Sequence, residues 1–220
     1  MRGKLIVIFG IDGSGKSTIL RMLEQNKFEN TIYTSCLKKT VFEEELYYAE
    51  SKFNFSRRDM FSREFKHALH IDSVIYNVFN KILPLLDSGN NVILDRYSIC
   101  INLFTELFLE PSYRCLSKAL ECLPTPNWGI YFDTNIDVAL QRIYKRSGIA
   151  GAPIHYSESK ESLKKKKAGY EAMIPHEGYP IFKINANQDI NDVYASVYGL
   201  LDNLLTSHDK TYEDITNLRK

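Results

Sequence analysis

The 220-residue sequence has no apolar run that approaches the roughly 20 residues a helix needs to span a bilayer. It also has no excess of one charge: 28 basic residues face 27 acidic ones, so no strong field favours nucleic acid or an anionic membrane. Cysteine is scarce, with four residues and no Cys-x-x-Cys spacing, which is typical of reduced, buried thiols. The chain runs from Met1 almost directly into an apolar strand pattern, so a signal peptide is not expected. These absences predict a cytoplasmic protein that binds neither nucleic acid nor membrane.

A glycine-rich stretch close to the N-terminus is the most informative motif. Residues 10–17 read Gly-Ile-Asp-Gly-Ser-Gly-Lys-Ser and follow the apolar run 5–9. A strand, a loop of this composition and a helix form a phosphate-binding P-loop, in which curled backbone amides and the helix N-terminus face one phosphate. Lys16 is expected to reach the β- and γ-phosphates of ATP, and Ser17 to hold Mg²⁺ through its hydroxyl. The predicted nucleotide-binding residues of the loop are Gly10, Asp12, Gly13, Ser14, Gly15, Lys16, Ser17 and Thr18.

Apolar runs alternate with helical patterns along the chain. Strands are predicted at residues 4–9, 31–35, 91–95, 128–133 and 180–185. Helices are predicted at residues 16–25, 59–88, 98–108, 112–122, 136–146, 158–173 and 189–206. This alternation is typical of an α/β domain with a parallel sheet and helices on both faces, where ligands bind at the carboxyl ends of the strands. Residues 1–206 are therefore predicted to form one domain, followed by a polar tail at 207–220.

An acidic residue closes the third predicted strand. At a strand end beside a P-loop, Asp95 is suited either to order Mg²⁺ through water or to accept a proton from an attacking oxygen. Arg96 offers a planar pair of donors that suits a phosphate. Taken alone, the pair is more typical of a strand-end salt bridge, but the P-loop favours a catalytic interpretation.

With these motifs the sequence resembles the thymidylate kinase family, a branch of the P-loop nucleoside monophosphate kinases. Its P-loop has an acid at the third position, as in that family. Residues 81–97 resemble the family's helix, its proline, its glycine turn and its Asp-Arg-Tyr signature. Residues 130–146 resemble its fourth strand and the helix that leads to its lid, with an Ala-Leu-x-Arg-x-x-x-Arg pattern. The likeness covers about residues 1–205.

The resemblance implies a three-layer P-loop fold whose five-stranded parallel sheet has the order 2-3-1-4-5, with a lid at about residues 147–158. It implies transfer of the γ-phosphoryl group of ATP to a nucleoside monophosphate. It also suggests a homodimer, for which the apolar stretch 99–108 is either the shared face or part of the core.

The resemblance assigns roles to single residues as well. Lys16, Asp95, Arg96 and Arg146 are the expected catalytic residues, and Ser17 and Asp95 the expected Mg²⁺ ligands. Asp12 is expected at the acceptor sugar, Arg96 at the acceptor phosphate and Arg142 at the donor nucleotide. The predicted acceptor-binding residues are Asp12, His70, Arg96, Tyr97 and Phe104.

A run of four lysines at 164–167 leaves two interpretations open. In the first, the run is a solvated helix face, which is supported by Glu161 four residues before Lys165. Alternatively, because it follows the expected lid, Lys164, Lys165 or Lys167 faces phosphate.

The acceptor side departs from the family pattern. The positions of the family's thymine-reading Phe and Arg are taken by His70 and Val74, its Ser by Cys100, and its Tyr-Gln pair by Phe104 and Thr105. Loss of the arginine removes a charge-assisted hydrogen bond of about 1.5–3 kcal/mol, which is enough to change specificity. Either the acceptor is therefore not thymidylate, or different residues read its base; the resemblance favours dTMP or a related deoxynucleotide. Two alternatives stay open: a P-loop kinase of another small molecule or nucleoside, and a nucleotide-binding regulatory module without transfer activity.

Overall fold

One parallel sheet of five strands organises the computed structural model, which describes residues 2–56, 60–147 and 156–206. The strands are β1 (Leu5–Phe9), β2 (Thr31–Thr34), β3 (Asn91–Asp95), β4 (Trp128–Asp133) and β5 (Ile181–Asn185). Their spatial order is β2-β3-β1-β4-β5. The five predicted strands and the order 2-3-1-4-5 are confirmed.

Helices cover both faces of this sheet. They are α1 (Lys16–Gln25), α2 (Val41–Phe53), α3 (Arg63–Asn77), α4 (Leu83–Asp87), α5 (Ser98–Phe108), α6 (Ile136–Ser147), α7 (Lys160–Met173) and α8 (Ile190–Thr206). Short 3-10 segments lie at Tyr156–Glu158 and Ile174–His176. The three-layer α/β prediction is therefore confirmed as well.

Two predicted helices differ from expectation in their winding. The helix predicted at 59–88 contains a π-helical turn, Val78–Ile82, between α3 and α4. Pro84 follows directly and has no N–H to continue the regular ladder, which a widened turn accommodates. The helix predicted at 112–122 is a 3-10 segment, Pro111–Cys122, whose ends bond three residues apart, as from the Leu123 amide to the Leu120 carbonyl.

The apolar residues of β1 divide between two core layers. Leu5, Val7 and Phe9 join the layer covered by α3, α5 and α7, while Ile6 and Ile8 join the layer covered by α1 and α8. Side chains alternate across a strand, so a strand covered on both faces needs this unbroken apolar run. Each fully buried side chain of this kind contributes about 1.5–3 kcal/mol. The strand that ends in the P-loop is thereby fixed in place.

Helix α2 is the element that the sequence analysis missed. Thr40 caps it: its hydroxyl accepts from the Glu43 amide and its amide donates to Glu43 Oε2. The same Glu43 oxygen accepts a hydrogen bond from Ser73 of α3 at 2.7 Å, which docks the helix. Several aromatic side chains of α2 are exposed, among them Tyr48 and Phe53, so the apolar residues of this helix do not mark one buried face in the sequence. The Thr-x-x-Glu capping box was the usable signal.

The apolar stretch 99–108 lies in helix α5. Its residues Ile99, Ile101 and Leu103 are buried in the subunit core, as one of the two interpretations expected. Leu107 and Phe108 are only half-buried. A homodimer stays a prediction.

Parts of the predicted lid and tail are not covered. Residues 148–155 of the expected lid and the tail at 207–220 lie outside the described residues. Within the described ranges, every helix is too short or too polar to cross a membrane.

Candidate active site

The glycines of the P-loop have backbone conformations and close contacts that exclude larger residues. Gly13 and Gly15 have φ values of 77° and 91°, in the left-handed region that favours glycine. A Cβ at Gly13 would lie 2.4 Å from the carbonyl oxygen of Ala139 in α6. Gly15 ends the loop directly before α1, so the turn delivers the amino end of that helix to the carboxyl edge of the sheet.

Lys16 lies buried at the centre of the loop. Its Nζ donates to the carbonyl oxygens of Gly10 and Ile11, at 2.9 and 2.7 Å, and to Ser14 Oγ at 2.8 Å. Burial, and then the charge of Arg96, lowers the pKa of Lys16 to about 8. An ammonium held among loop oxygens in this way is close to where the loop amides would bind phosphate. Thr18, one residue after Ser17, is exposed in the first turn of α1.

Asp95 brings a carboxylate to the first turn of α1. Ser17 Oγ lies 3.5 Å from Asp95 Oδ2, and within the described structure Oδ1 is buried without a hydrogen-bond partner. Ser35 donates to the Asp95 carbonyl at 3.1 Å and so fixes the strand end. An unpartnered carboxylate oxygen beside a hydroxyl fits a hard cation such as Mg²⁺. The described residues hold no cluster of three His, Cys, Asp or Glu side chains of the kind that binds a metal alone, so phosphate oxygens would have to complete the shell.

Asp12 lies between two cations from different elements. Arg96 Nη2 donates to Asp12 Oδ1 at 2.6 Å, and Lys166 Nζ from α7 donates to Asp12 Oδ2 at 2.6 Å. Burial alone would raise the pKa of the Asp12 carboxyl, but Arg96 and Lys166 outweigh it and hold that pKa well below its usual range. The carboxylate is therefore ionised and joins three parts of the chain.

The turn at Arg96 is strained in a way that serves this contact. Its φ is 69°, in the left-handed region, while its amide donates to the Ile8 carbonyl at 2.9 Å. A non-glycine residue in that region costs on the order of 1–3 kcal/mol and is seen where the surroundings hold it in place. Here the conformation accompanies a guanidinium that reaches the P-loop.

The two arginines of α6 have different surroundings. Arg142 donates to the Ala186 carbonyl at 2.8 Å and lies 3.4 Å from the Ser14 carbonyl, so it bridges the P-loop and the loop after β5. Arg146, one turn later, is 65% exposed and pairs with Glu158 at 2.5 Å. The structure thus brings Arg142 to the loop and leaves Arg146 at the rim.

The residues predicted to read the acceptor separate into two groups. His70 is half-buried on α3, and burial lowers its pKa; Glu43 opposes this shift and Arg96 adds to it. Phe104 stacks on His67 with ring centroids 4.9 Å apart. Tyr97 lies apart: it is 1% exposed, and its hydroxyl donates to the Pro124 carbonyl at 3.0 Å.

A second histidine, His67, lies buried on the same helix. Its Nε2 lies 2.8 Å from Thr105 Oγ1, and that hydroxyl donates to the Ile101 carbonyl. Burial lowers the pKa of His67 to about 4, so it is neutral near pH 7. His67, Phe104 and Thr105 therefore form a packed neutral cluster between α3 and α5.

Lys164, Lys165 and Lys167 were the lysines of the run expected to face phosphate, but another lysine reaches the P-loop. Lys165 pairs with Glu161, and Lys167 pairs with Asp133 at the end of β4. Lys166, which the sequence analysis did not single out, is the one that meets Asp12. It follows the buried Leu163 by three residues, and this helical spacing was the available signal.

A scan against family models identifies the chain. The model described as thymidylate kinase matches residues 8–197. The chain belongs to the thymidylate kinase family. The predicted family is thereby confirmed.

Similar proteins in this family come from several archaea. A probable thymidylate kinase of Methanococcoides burtonii is 26% identical and covers 94% of this chain and 100% of its own. One of Pyrococcus horikoshii is 29% identical over 91% and 97% of the two chains, and one of Methanosarcina acetivorans is 33% identical over 66% and 72%. A solved thymidylate kinase from Candida albicans superposes with a TM-score of 0.67 over 92% of both chains, at 18% identity, which supports the fold.

Proposed function

We propose that this thymidylate kinase family member transfers the γ-phosphoryl group of ATP to the phosphate of dTMP or a related deoxynucleoside monophosphate. The observation that carries the proposal is the convergence of Lys16, Asp95 and the Asp12–Arg96 pair at the carboxyl edge of the sheet. Such an arrangement puts positive charge and a carboxylate where two phosphates can meet. Family membership makes a nucleoside monophosphate the favoured acceptor.

The donor side is built from the P-loop and α6. The amides of residues 13–17 and the N-terminus of α1 suit the phosphates of ATP, with Lys16 among them. Arg142 bridges the P-loop and the loop after β5, a position suited to the donor nucleotide. Ser17 and Asp95 would hold Mg²⁺, which supplies charge neutralisation between the β- and γ-phosphates when bound.

The acceptor side is built from the Asp95–Arg96 turn. Arg96 keeps guanidinium N–H groups that Asp12 does not use, and these suit oxygens of the acceptor phosphate, while Asp12 orients Arg96 and suits a sugar hydroxyl. Held in this way, the two phosphates need no covalent intermediate with the protein. Catalysis then consists of positioning and electrostatic stabilisation.

The base of the acceptor meets different chemistry here than the family pattern provides. Val74 takes the position of the family's arginine and is 0% exposed, within the core layer of α3. His70 and Phe104, both half-buried, are the groups left to face a base. We expect the enzyme to discriminate among pyrimidines less sharply than one with an arginine at this position.

A panel of acceptors tests the proposal. Purified protein with ATP and Mg²⁺ should convert dTMP or dUMP to the diphosphate faster than it converts dAMP, dGMP or thymidine. Lys16→Ala should abolish turnover, whereas the surface variant Lys118→Ala should not. Turnover of thymidine alone would favour a nucleoside kinase, and ATP binding without any transfer would favour a regulatory module.

A further inference from the structure

The four lysines of α7 have different surroundings. Lys165 is 56% exposed and pairs with Glu161 across one helical turn. Lys166 is 13% exposed, and besides Asp12 it contacts the Ser157 carbonyl at 2.8 Å. A buried ammonium loses hydration, and strong partners have to compensate for this loss.

The cluster around Asp12 holds more positive than negative charge. Among the described residues, the three cations Lys16, Arg96 and Lys166 face the two carboxylates Asp12 and Asp95. The lowered pKa of Lys16 reflects burial first and then the charge of Arg96. A partly buried site with surplus positive charge is complementary to an anion, and most strongly to a polyphosphate.

The sequence between α6 and α7 provides no side chain with a permanent positive charge at residues 147–158, which contain neither lysine nor arginine. Arg146, directly before them, points to Glu158 and is mostly exposed. Lys166 links the end of this segment, at Ser157, to the P-loop at Asp12.

We propose that Lys166 is a further catalytic residue, the cation that α7 contributes to the transferring phosphoryl group; this role rests on the proposed function. In the transfer, the bond from the γ-phosphorus to the β,γ-bridging oxygen breaks, and that oxygen keeps the electron pair as part of ADP. An oxygen of the acceptor phosphate forms the new bond with its own lone pair, and no proton is transferred. Lys166 stabilises the charge on the oxygens of the group in flight.

Three variants of neighbouring lysines test the role. Lys166→Met keeps the length of the side chain but removes the charge, and it should lower kcat about 100-fold while each KM stays within about threefold. Lys166→Arg should recover part of kcat, because it restores the charge. Lys165→Met is the matched control and should behave as the natural protein does. A Lys166→Met enzyme with kcat within about threefold of the natural one, or with its loss confined to KM, overturns the proposal.

A binding measurement separates this role from the proposed function. ADP with aluminium fluoride, Mg²⁺ and dTMP mimics the group in flight, and calorimetry can be done without turnover. Lys166→Met should raise the Kd of this complex at least about tenfold more than it raises the Kd of ADP alone. Equal effects on both overturn the role of Lys166, as does a natural protein that binds the mimic no more tightly than ADP. Failure of the proposed function would instead show as a natural protein that transfers phosphate to no monophosphate.

Discussion

Arg96 donates to Asp12 over 2.6 Å and so ties the turn after β3 to the P-loop. The two residues lie 84 positions apart in the chain, yet the register of β1 with β3 places their strand ends side by side. Because Arg96 is proposed to bind the acceptor and Asp12 lies in the P-loop, this pair would align the two halves of the proposed site.

Asp12→Asn should destabilise the protein near neutral pH and weaken acceptor use. The pKa of Asp12 is depressed in the folded state from its ordinary value of 3.8. Its contribution to the free energy of unfolding is therefore present above about pH 4 and is lost as the pH falls through the folded pKa. Urea denaturation should show a constant gap between natural and variant protein above about pH 5, narrowing below about pH 4. A gap that widens on acidification would contradict the ionised pairing.

ATP binding should take up protons near pH 8. The pKa of Lys16 is about 8, so about half of the lysine is neutral at that pH. Phosphate beside it favours the ammonium and raises the pKa. Calorimetry in buffers of different ionisation enthalpy should then report uptake of up to about half a proton.

Two variants control this measurement. Lys16→Met should bind ATP weakly and without proton uptake, whereas Arg142→Met should bind weakly with the uptake intact. Heats that do not depend on the buffer in the natural protein would refute the lowered pKa. The same shift makes the free energy of unfolding rise with pH between about 8 and 10.5, because the unfolded lysine holds the proton longer.

Asp95→Asn should raise the Mg²⁺ concentration needed for half-maximal activity by about tenfold or more. The amide keeps the shape of the side chain but removes the charge beside Ser17. Asp137→Asn is a suitable control, because Asp137 is exposed and pairs with Lys160 at the surface. A titration of turnover against Mg²⁺ measures the effect, and equal Mg²⁺ curves for both variants would exclude Asp95 from the cation site.

Tyr97→Phe should cost stability without changing acceptor use. Its hydroxyl donates to the Pro124 carbonyl in a partly buried hydrogen bond worth about 0.5–1.5 kcal/mol. The free energy of unfolding should fall by about that amount, with the KM for dTMP unchanged. A raised KM at unchanged stability would restore Tyr97 to the acceptor site that the sequence predicted.

The strands and the P-loop could be predicted because they depend on local sequence. A run such as Leu5–Phe9 is apolar throughout, and the P-loop needs glycine at fixed positions. The Asp12–Arg96 contact depends instead on a left-handed residue and on strand register, neither of which a single sequence displays. The choice of Lys166 over its neighbours depends on the rotation of α7 about its axis, which shifts by 100° per residue.

Val74→Arg examines the position where the chain departs most clearly from its family pattern. If this residue lay in the base pocket, an arginine there would restore a thymine contact and sharpen the preference for dTMP. Val74 is instead fully buried among apolar neighbours, and an unpaired charge in such a place costs several kcal/mol. We expect the variant to unfold at much lower urea concentration, with no gain in dTMP selectivity, whereas Phe104→Ala should raise the KM for dTMP and leave that for ATP unchanged. Urea denaturation and the acceptor panel measure both effects. A stable Val74→Arg enzyme with sharper selectivity for dTMP would show that α3 presents this position to the base after all.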